Sequence, residues 1–248
     1  MLDLKVRAVR FGTGKPKICV PLIGRTFDEL MAQASQAKKV GDAIEWRADF
    51  YEAVADEEQL LMTLMALRDE VRQLPLIFNL KTKAAGGQLE LSAREYRRIY
   101  EFVVTSKQVD LMDVELSLLD QLSPTFVRWM QALNTKVIVS DYTLDTTPKD
   151  AILLFRLNMM EHWGADIGKI VVKPKDELDV LRLLETTVKA QSFVNLPVVA
   201  LATGKLGHFT QVAGSLTGSA IAYGCLPNLA AEEGQLEAKT LRQLIKAL

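Results

Sequence analysis

Residues 164–174 read GADIGKIVVKP. A turn-forming Gly-Ala-Asp and a closing proline bracket the run Lys169–Lys173, which predicts a strand buried on both faces. Comparable runs fall at Ile18–Ile23, Ala43–Trp46, Leu76–Leu80, Val109–Leu116, Val137–Ser140, Val198–Thr203 and Ser219–Cys225, eight in all. Between most of them lie stretches with helical apolar spacing, at 27–39, 57–74, 93–106, 125–133, 149–163, 177–188 and 237–248. The seventh link, Gly207–Thr217, is short and bounded by glycines, so its helix is expected to be stunted.

Strand and helix thus alternate about eight times, with no low-complexity tract and no repeat of fixed period. Helices following strands imply a parallel sheet. A flavodoxin-like open sheet needs five or six strands and leaves roughly 80 residues without a place. The expected fold is therefore α/β, a (β/α)8 TIM barrel forming a single domain over residues 1–248. Residues 1–16 are expected to form an N-terminal β-hairpin that closes one barrel end.

Composition narrows the function. The chain has 248 residues, 49% of them hydrophobic, and a formal net charge of −1. That length buries a sizeable core without metals or disulfides. The balanced charge argues against a nucleic-acid or acidic-membrane partner, since no basic surplus exists to neutralise phosphates. Apolar stretches are strand-sized, well short of the ~20 residues that cross a bilayer. The charged, glycine-broken start is no signal peptide, so a cytoplasmic protein is expected. Cys19 and Cys225 sit in apolar runs and read as small buried hydrophobes rather than a disulfide. With two histidines and no Cys/His cluster, a structural metal site is not expected.

In a barrel the chemistry sits where inward-pointing residues reach the C-terminal strand ends. Alternation places Glu45, Arg47 and Asp49 of IEWRAD (44–49) on one face. Buried unpaired charges are costly, so these either brace the barrel with an ion pair or hold a substrate; their position near the strand end favours a substrate. Lys81 shares parity with Asn79, whereas Lys83 reads as solvated and Gly86-Gly87 as a loop hinge. Asp113 and Glu115 share a face on the fourth strand. On the sixth, Lys169, Val171 and Lys173 share the face away from Ile170 and Val172. If that face is the lumen, two ammonium groups lie about 6–7 Å apart at a ~3.3 Å rise per residue. Burial and like charge would each depress a lysine pKa and give a neutral amine able to attack a ketone or aldehyde. The alternative is that both lysines pair with Asp113 and Glu115.

The ordered series IEWRAD, KTKAAGG, MDVEL, VIVSDY, GADIGKIVVKP, GKLG and EEGQL resembles the type I 3-dehydroquinate dehydratase family across nearly the whole chain. The resemblance implies a homodimeric (β/α)8 barrel without cofactor, acting on a small polyhydroxylated cyclic ketone. Its reaction converts 3-dehydroquinate to 3-dehydroshikimate by an imine on a lysine, with proton transfer by a histidine and syn loss of water. Carried over by position, Lys169 falls on the imine-forming lysine, Glu45 and Arg47 on the pair holding substrate hydroxyls, and Gln235 on a glutamine closing over the substrate.

Several positions depart from the family pattern. Tyr142 in SDY stands where the proton-transfer histidine does, and Lys81 where an arginine leaves the third strand. Gln211 in HFTQVAG replaces the carboxylate-clamping arginine. In LAAEEGQ (229–235) the serine expected ahead of PGQ is missing, with Ala231 nearby and Glu233 where proline would be. Leu201 and Thr203 stand where methionines often line the pocket, and Lys173 where an apolar residue is common. Tyr142, with an ordinary pKa near ~10, is a poor base unless a cation such as Lys173 lowers it. His208 is the substitute proton shuttle to consider, while His162 reads as structural. The expected function is a dehydroquinate dehydratase-like Schiff-base lyase. Two alternatives are an imine-forming enzyme for another carbonyl compound and a non-catalytic small-ligand protein.

Overall fold

The computed structural model describes residues 3–248. Eight parallel strands form its centre: β3 (Lys17–Leu22), β4 (Ala43–Arg47), β5 (Leu76–Asn79), β6 (Leu111–Glu115), β7 (Lys136–Thr143), β8 (Ile167–Val172), β9 (Val198–Ala202) and β10 (Ile221–Tyr223). Each pairs with the next, and β10 pairs back onto β3 with Ile221 opposite Lys17. The Ala220 amide donates to the Val198 carbonyl at 2.8 Å and draws β9 and β10 together. The sequence order of the strands is thus their order around the ring. Before it comes an antiparallel hairpin of β1 (Leu4–Val6) and β2 (Val9–Phe11). The expected hairpin over residues 1–16 is present in that part; Met1 and Leu2 lie outside the described residues.

Around the ring run α1 (Phe27–Ala37), α2 (Glu57–Val71), α3 (Ala93–Ser106), α4 (Leu116–Leu122), α5 (Phe126–Ala132), α6 (Asp150–His162), α7 (Glu177–Phe193), α8 (His208–Val212), α9 (Gly214–Thr217) and α10 (Ala238–Ala247). Local chemistry starts several of them. Ser92 and Glu95 form a reciprocal capping box at α3, and Thr26, Asp56 and Asp176 cap α1, α2 and α7 by accepting free first-turn amides. The seventh link is indeed broken into the short α8 and α9. Helix α4 differs from the sequence reading, which ran the fourth strand through Leu116. Its apolar LSLL start continues the strand's composition, so composition does not mark where the chain turns.

Two apolar layers sandwich the strands. Outward strand residues such as Ile44, Trp46, Phe78 and Val139 pack against the helices. Inward, Cys19, Ala43, Ile77, Leu111, Ile138, Ile167, Val199 and Ile221 fill the lower lumen, and Val6 and Phe11 of the hairpin join them from beneath. That apolar seal closes the N-terminal end. One step up β4 to β8 the same parity turns polar, with Glu45, Asn79, Asp113, Ser140 and Lys169. The barrel therefore has an apolar floor and a charged upper storey at its C-terminal mouth, where active sites of this fold are built.

Candidate active site

Lys169 lies on β8, 3% exposed, with its ammonium against the carboxylate of Asp113 on β6. Between them, β7 places Ser140 level with Lys169, and the Ser140 hydroxyl donates to the other Asp113 oxygen at 2.6 Å. The Asp113 backbone carbonyl accepts from the buried Tyr100 hydroxyl, fixing that strand from outside the barrel. On the other side of Lys169 Nζ, Glu45 Oε2 is 3.8 Å away and accepts from the Tyr223 hydroxyl at 2.9 Å. The rings of Tyr223 and Tyr142 lie 5.3 and 5.5 Å from the ammonium.

These neighbours decide the charge of the amine. Burial would lower its pKa, but Asp113, then Tyr142, Tyr223 and Glu45, outweigh that and hold it well above the ordinary lysine value. Lys169 is an ammonium at rest. The expected neutral amine is thus corrected, and so is its supposed cause. Lys173 lies past the end of β8, with its side chain 54% exposed and 3.8 Å from Glu233. It does not share the lumen with Lys169. Of the alternative pairing, half is realised: Asp113 takes Lys169, whereas Glu115 accepts the Thr82 amide at 2.6 Å and hydroxyl at 2.8 Å.

A second cluster occupies the opposite wall. Arg47, at the end of β4, is gripped by both oxygens of Asp49 at 2.8 and 2.9 Å; the strand passes there into a 3-10 turn, Ala48–Phe50. Its remaining nitrogen donates to Glu232 Oε1 at 2.9 Å, and Lys81 Nζ donates to the same oxygen at 2.7 Å. Lys81 also lies 4.4 Å from the centre of the Tyr142 ring. Burial lowers the Lys81 pKa, with Glu232 opposing it. Burial would raise the Glu232 carboxyl, but Lys81 and Arg47 more than offset this and hold it below the usual range. Glu232 comes from a loop 185 residues away from Arg47, and no local pattern marks it as their partner.

Other candidates fall in different places. Gln211 on α8 and Gln235 on the loop both line the cavity; Gln211 accepts the Tyr223 amide and Gln235 the Ala231 amide, each at 2.9 Å. Tyr142 lines it too, but burial, its largest influence, drives the phenol pKa up rather than down. The idea that Lys173 activates it is therefore overturned. His208 heads α8 outside the cavity wall, and His162 ends α6. The Gly86-Gly87 pair also differs from a free hinge. Gly87 donates to the Thr82 carbonyl at 2.8 Å and Gln88 to Asp49 at 3.1 Å. A Cβ on Gly87 would stand 2.0 Å from the Lys81 carbonyl, so glycine is required there by close approach. Tyr223 is the site residue that the sequence reading missed; its parity with Ile221 in the last strand was the available signal.

Among these groups lies a cavity of about 40 Å³, walled by Glu45, Arg47, Lys169, Tyr142, Gln211 and the 231–235 loop. At ~10–15 Å³ per water it has room for a few waters. Among the described residues, no group of three or more His, Cys, Asp or Glu side chains is arranged to hold a metal ion, and no helix is long and apolar enough to cross a membrane.

Fold and site together define a (β/α)8-barrel protein with a buried, carboxylate-flanked lysine at the C-terminal mouth. The sequence model of the family described as type I 3-dehydroquinase matches residues 18–248. A 3-dehydroquinate dehydratase of Syntrophotalea carbinolica is 36% identical over 100% of this chain and 98% of its own. One from Bacillus licheniformis is 34% identical over 99% and 97%. The crystal structure of the type I enzyme from Clostridium difficile with covalent modified comenic acid superposes with a TM-score of 0.95, at 31% identity over 99% of this chain and 97% of that one. The chain belongs to the type I 3-dehydroquinase family.

Proposed function

We propose that the chain is a Schiff-base-forming carbon–oxygen lyase that converts 3-dehydroquinate to 3-dehydroshikimate and water, a step of the shikimate pathway to aromatic amino acids. The observation that carries this reading is the position of Lys169, a primary amine on the cavity wall with Asp113 and Glu45 on either side. The covalently modified ligand of the Clostridium difficile relative supports covalent chemistry in a barrel of this build.

Because Lys169 rests as an ammonium, proton transfer comes first. Asp113 already touches Nζ and accepts that proton as the substrate displaces solvent. The free amine adds to the ketone carbon, and the carbonyl oxygen departs as water, leaving a protonated imine. That C=N bond withdraws electrons from the neighbouring carbon and acidifies its C–H. Glu45 takes this proton, since burial raises its carboxyl above the usual range while Lys169 limits the rise. The hydroxyl on the next carbon leaves with a proton as the second water, and hydrolysis of the imine returns the first. Tyr142, with its raised phenol, serves as a donor in this scheme and not as a base. Arg47, Lys81, Gln211 and Gln235 hold the substrate's hydroxyls and carboxylate.

Turnover of 3-dehydroquinate, followed by the ultraviolet absorbance of the conjugated enone product, tests the assignment. The native chain is expected to be active and Lys169→Ala inactive while still folded; undiminished turnover in Lys169→Ala excludes the lysine from the chemistry. The occupied Arg47 and Lys81 favour a second reading, an imine-forming enzyme whose carbonyl substrate lacks a carboxylate.

The same proposal makes the enzyme a single-domain cytoplasmic homodimer. Ile152 and Phe155 on α6 and Leu178 and Leu181 on α7 support the dimer, being between 45% and 68% exposed.

A further inference from the structure

Two carboxylates flank Lys169, and a hydroxyl from another strand is bonded to each of them. The two arrangements differ in one respect. On Asp113 the Ser140 hydroxyl donates to Oδ1 at 2.6 Å and leaves Oδ2 to the ammonium. On Glu45 the Tyr223 hydroxyl donates at 2.9 Å to Oε2, the oxygen on the side of the amine, and Nζ stays 3.8 Å from it. That separation is beyond hydrogen-bond range, so Lys169 has one bonded carboxylate and one that is only near. Tyr223 is tied at both ends. It closes β10, is 4% exposed, donates its amide to the Gln211 side chain of α8 at 2.9 Å, and reaches past β3 to Glu45 on β4.

We propose that Tyr223 is a positioning residue whose hydroxyl keeps Glu45 off Lys169, so that Asp113 alone takes the amine's proton and Glu45 Oε1 is left for the C–H proton of the bound ketone. This rests on the reading of Lys169 as the imine-forming amine. The hydroxyl thereby separates the two proton transfers of the scheme. Nitrogen gives its proton to Asp113 before the C–N bond forms; carbon gives its proton to Glu45 afterwards, and the C–H electron pair moves toward the imine nitrogen. Without the Tyr223 proton, Oε2 turns to the nearest positive charge, which is Nζ, because a charge-assisted bond is the stronger one. Glu45 is then drawn to the nitrogen and away from the carbon it has to deprotonate.

The test follows two quantities with 3-dehydroquinate: the rate at which borohydride traps an imine on Lys169, and turnover. Tyr223→Phe removes one oxygen and keeps the ring. It is expected to form the adduct at the native rate while kcat falls about tenfold or more and KM changes by less than about twofold. Asp113→Asn is expected to lose the adduct, and Asp113→Asn combined with Tyr223→Phe to regain part of it, because Glu45 can then take the amine's proton. A residue that only supports the fold does not restore a step lost at another position. Loss of adduct and turnover together in Tyr223→Phe, an unchanged kcat, or a double variant as inert as Asp113→Asn would each overturn the proposal. The single variant decides the matter if Asp113→Asn does not fold. A native chain giving neither adduct nor turnover would remove the reading of Lys169 itself, and the proposal with it.

Discussion

Lys169 on β8 reaches past β7 to bond Asp113 on β6, so the reactive amine and its partner are two strands apart in the barrel and 56 residues apart in the chain. The consequence is a buried ammonium whose charge is kept chiefly by Asp113, with Glu45 3.8 Å away on its other side. Removing one member of a buried pair strands the other. Asp113→Asn is expected to cost about 3–5 kcal/mol in a urea melt at neutral pH. Because the folded Lys169 pKa is raised, the pair's stabilisation is fully present below the ordinary lysine pKa of 10.5 and fades only as pH climbs through the higher folded value. The difference between native and Asp113→Asn is thus flat from mildly acidic to mildly alkaline pH. A deficit that vanishes near neutrality would mean that Lys169 is not an ammonium there.

Glu232 behaves with the opposite sign. Its folded pKa is depressed, so its ion pairs stabilise the chain above the ordinary glutamate range and are lost as pH falls through the folded value. Melting temperature should drop more steeply in acid for the native chain than for Glu232→Gln. Parallel curves would show that the contact with Arg47 and Lys81 does not persist in solution.

Tyr142 and Gln211 stand where the family resemblance implies a proton-transfer histidine and a carboxylate-binding arginine. Restoring both, as Tyr142→His with Gln211→Arg, is expected to raise kcat/KM for 3-dehydroquinate by about tenfold or more, the scale of one positioned general base. No gain from the double change would mean that the present residues do not limit turnover.

The apolar face on α6 and α7 leads to a measurement of mass. Light scattering is expected to give twice the chain mass for the native protein. Phe155→Glu, at a side chain 61% exposed in the isolated chain, should fold normally and shift the population to monomer. A native monomer would remove the homodimer from the account.

Much of this architecture was legible beforehand because a parallel barrel repeats one simple pattern. Parity along each strand brought Glu45, Arg47, Lys81, Asp113 and Lys169 to the lumen from a two-residue period alone. Parity fails where a strand stops. Lys173 kept the right phase but lies beyond Val172, where the chain turns outward and its side chain follows. Asp49 is the converse, leaving strand geometry yet still gripping Arg47 because the 3-10 turn folds it back. The charge of Lys169 was misjudged because a pKa depends on neighbours in space. Its decisive partner is 56 residues distant, and the lysine taken for its neighbour is in solvent. That Glu232 and Glu233 lie near the mouth is legible in the sequence, but the bonds of Glu232 to Arg47 and Lys81 are not, since only the fold of the loop brings them together.

The central claim is that the nitrogen of Lys169 becomes covalently joined to a substrate ketone. Borohydride reduction in the presence of 3-dehydroquinate, followed by peptide mass spectrometry, tests it most directly. A reduced adduct confined to the peptide bearing Lys169, and missing from Lys169→Ala, is the predicted result. Full turnover with no adduct at that residue would contradict the account.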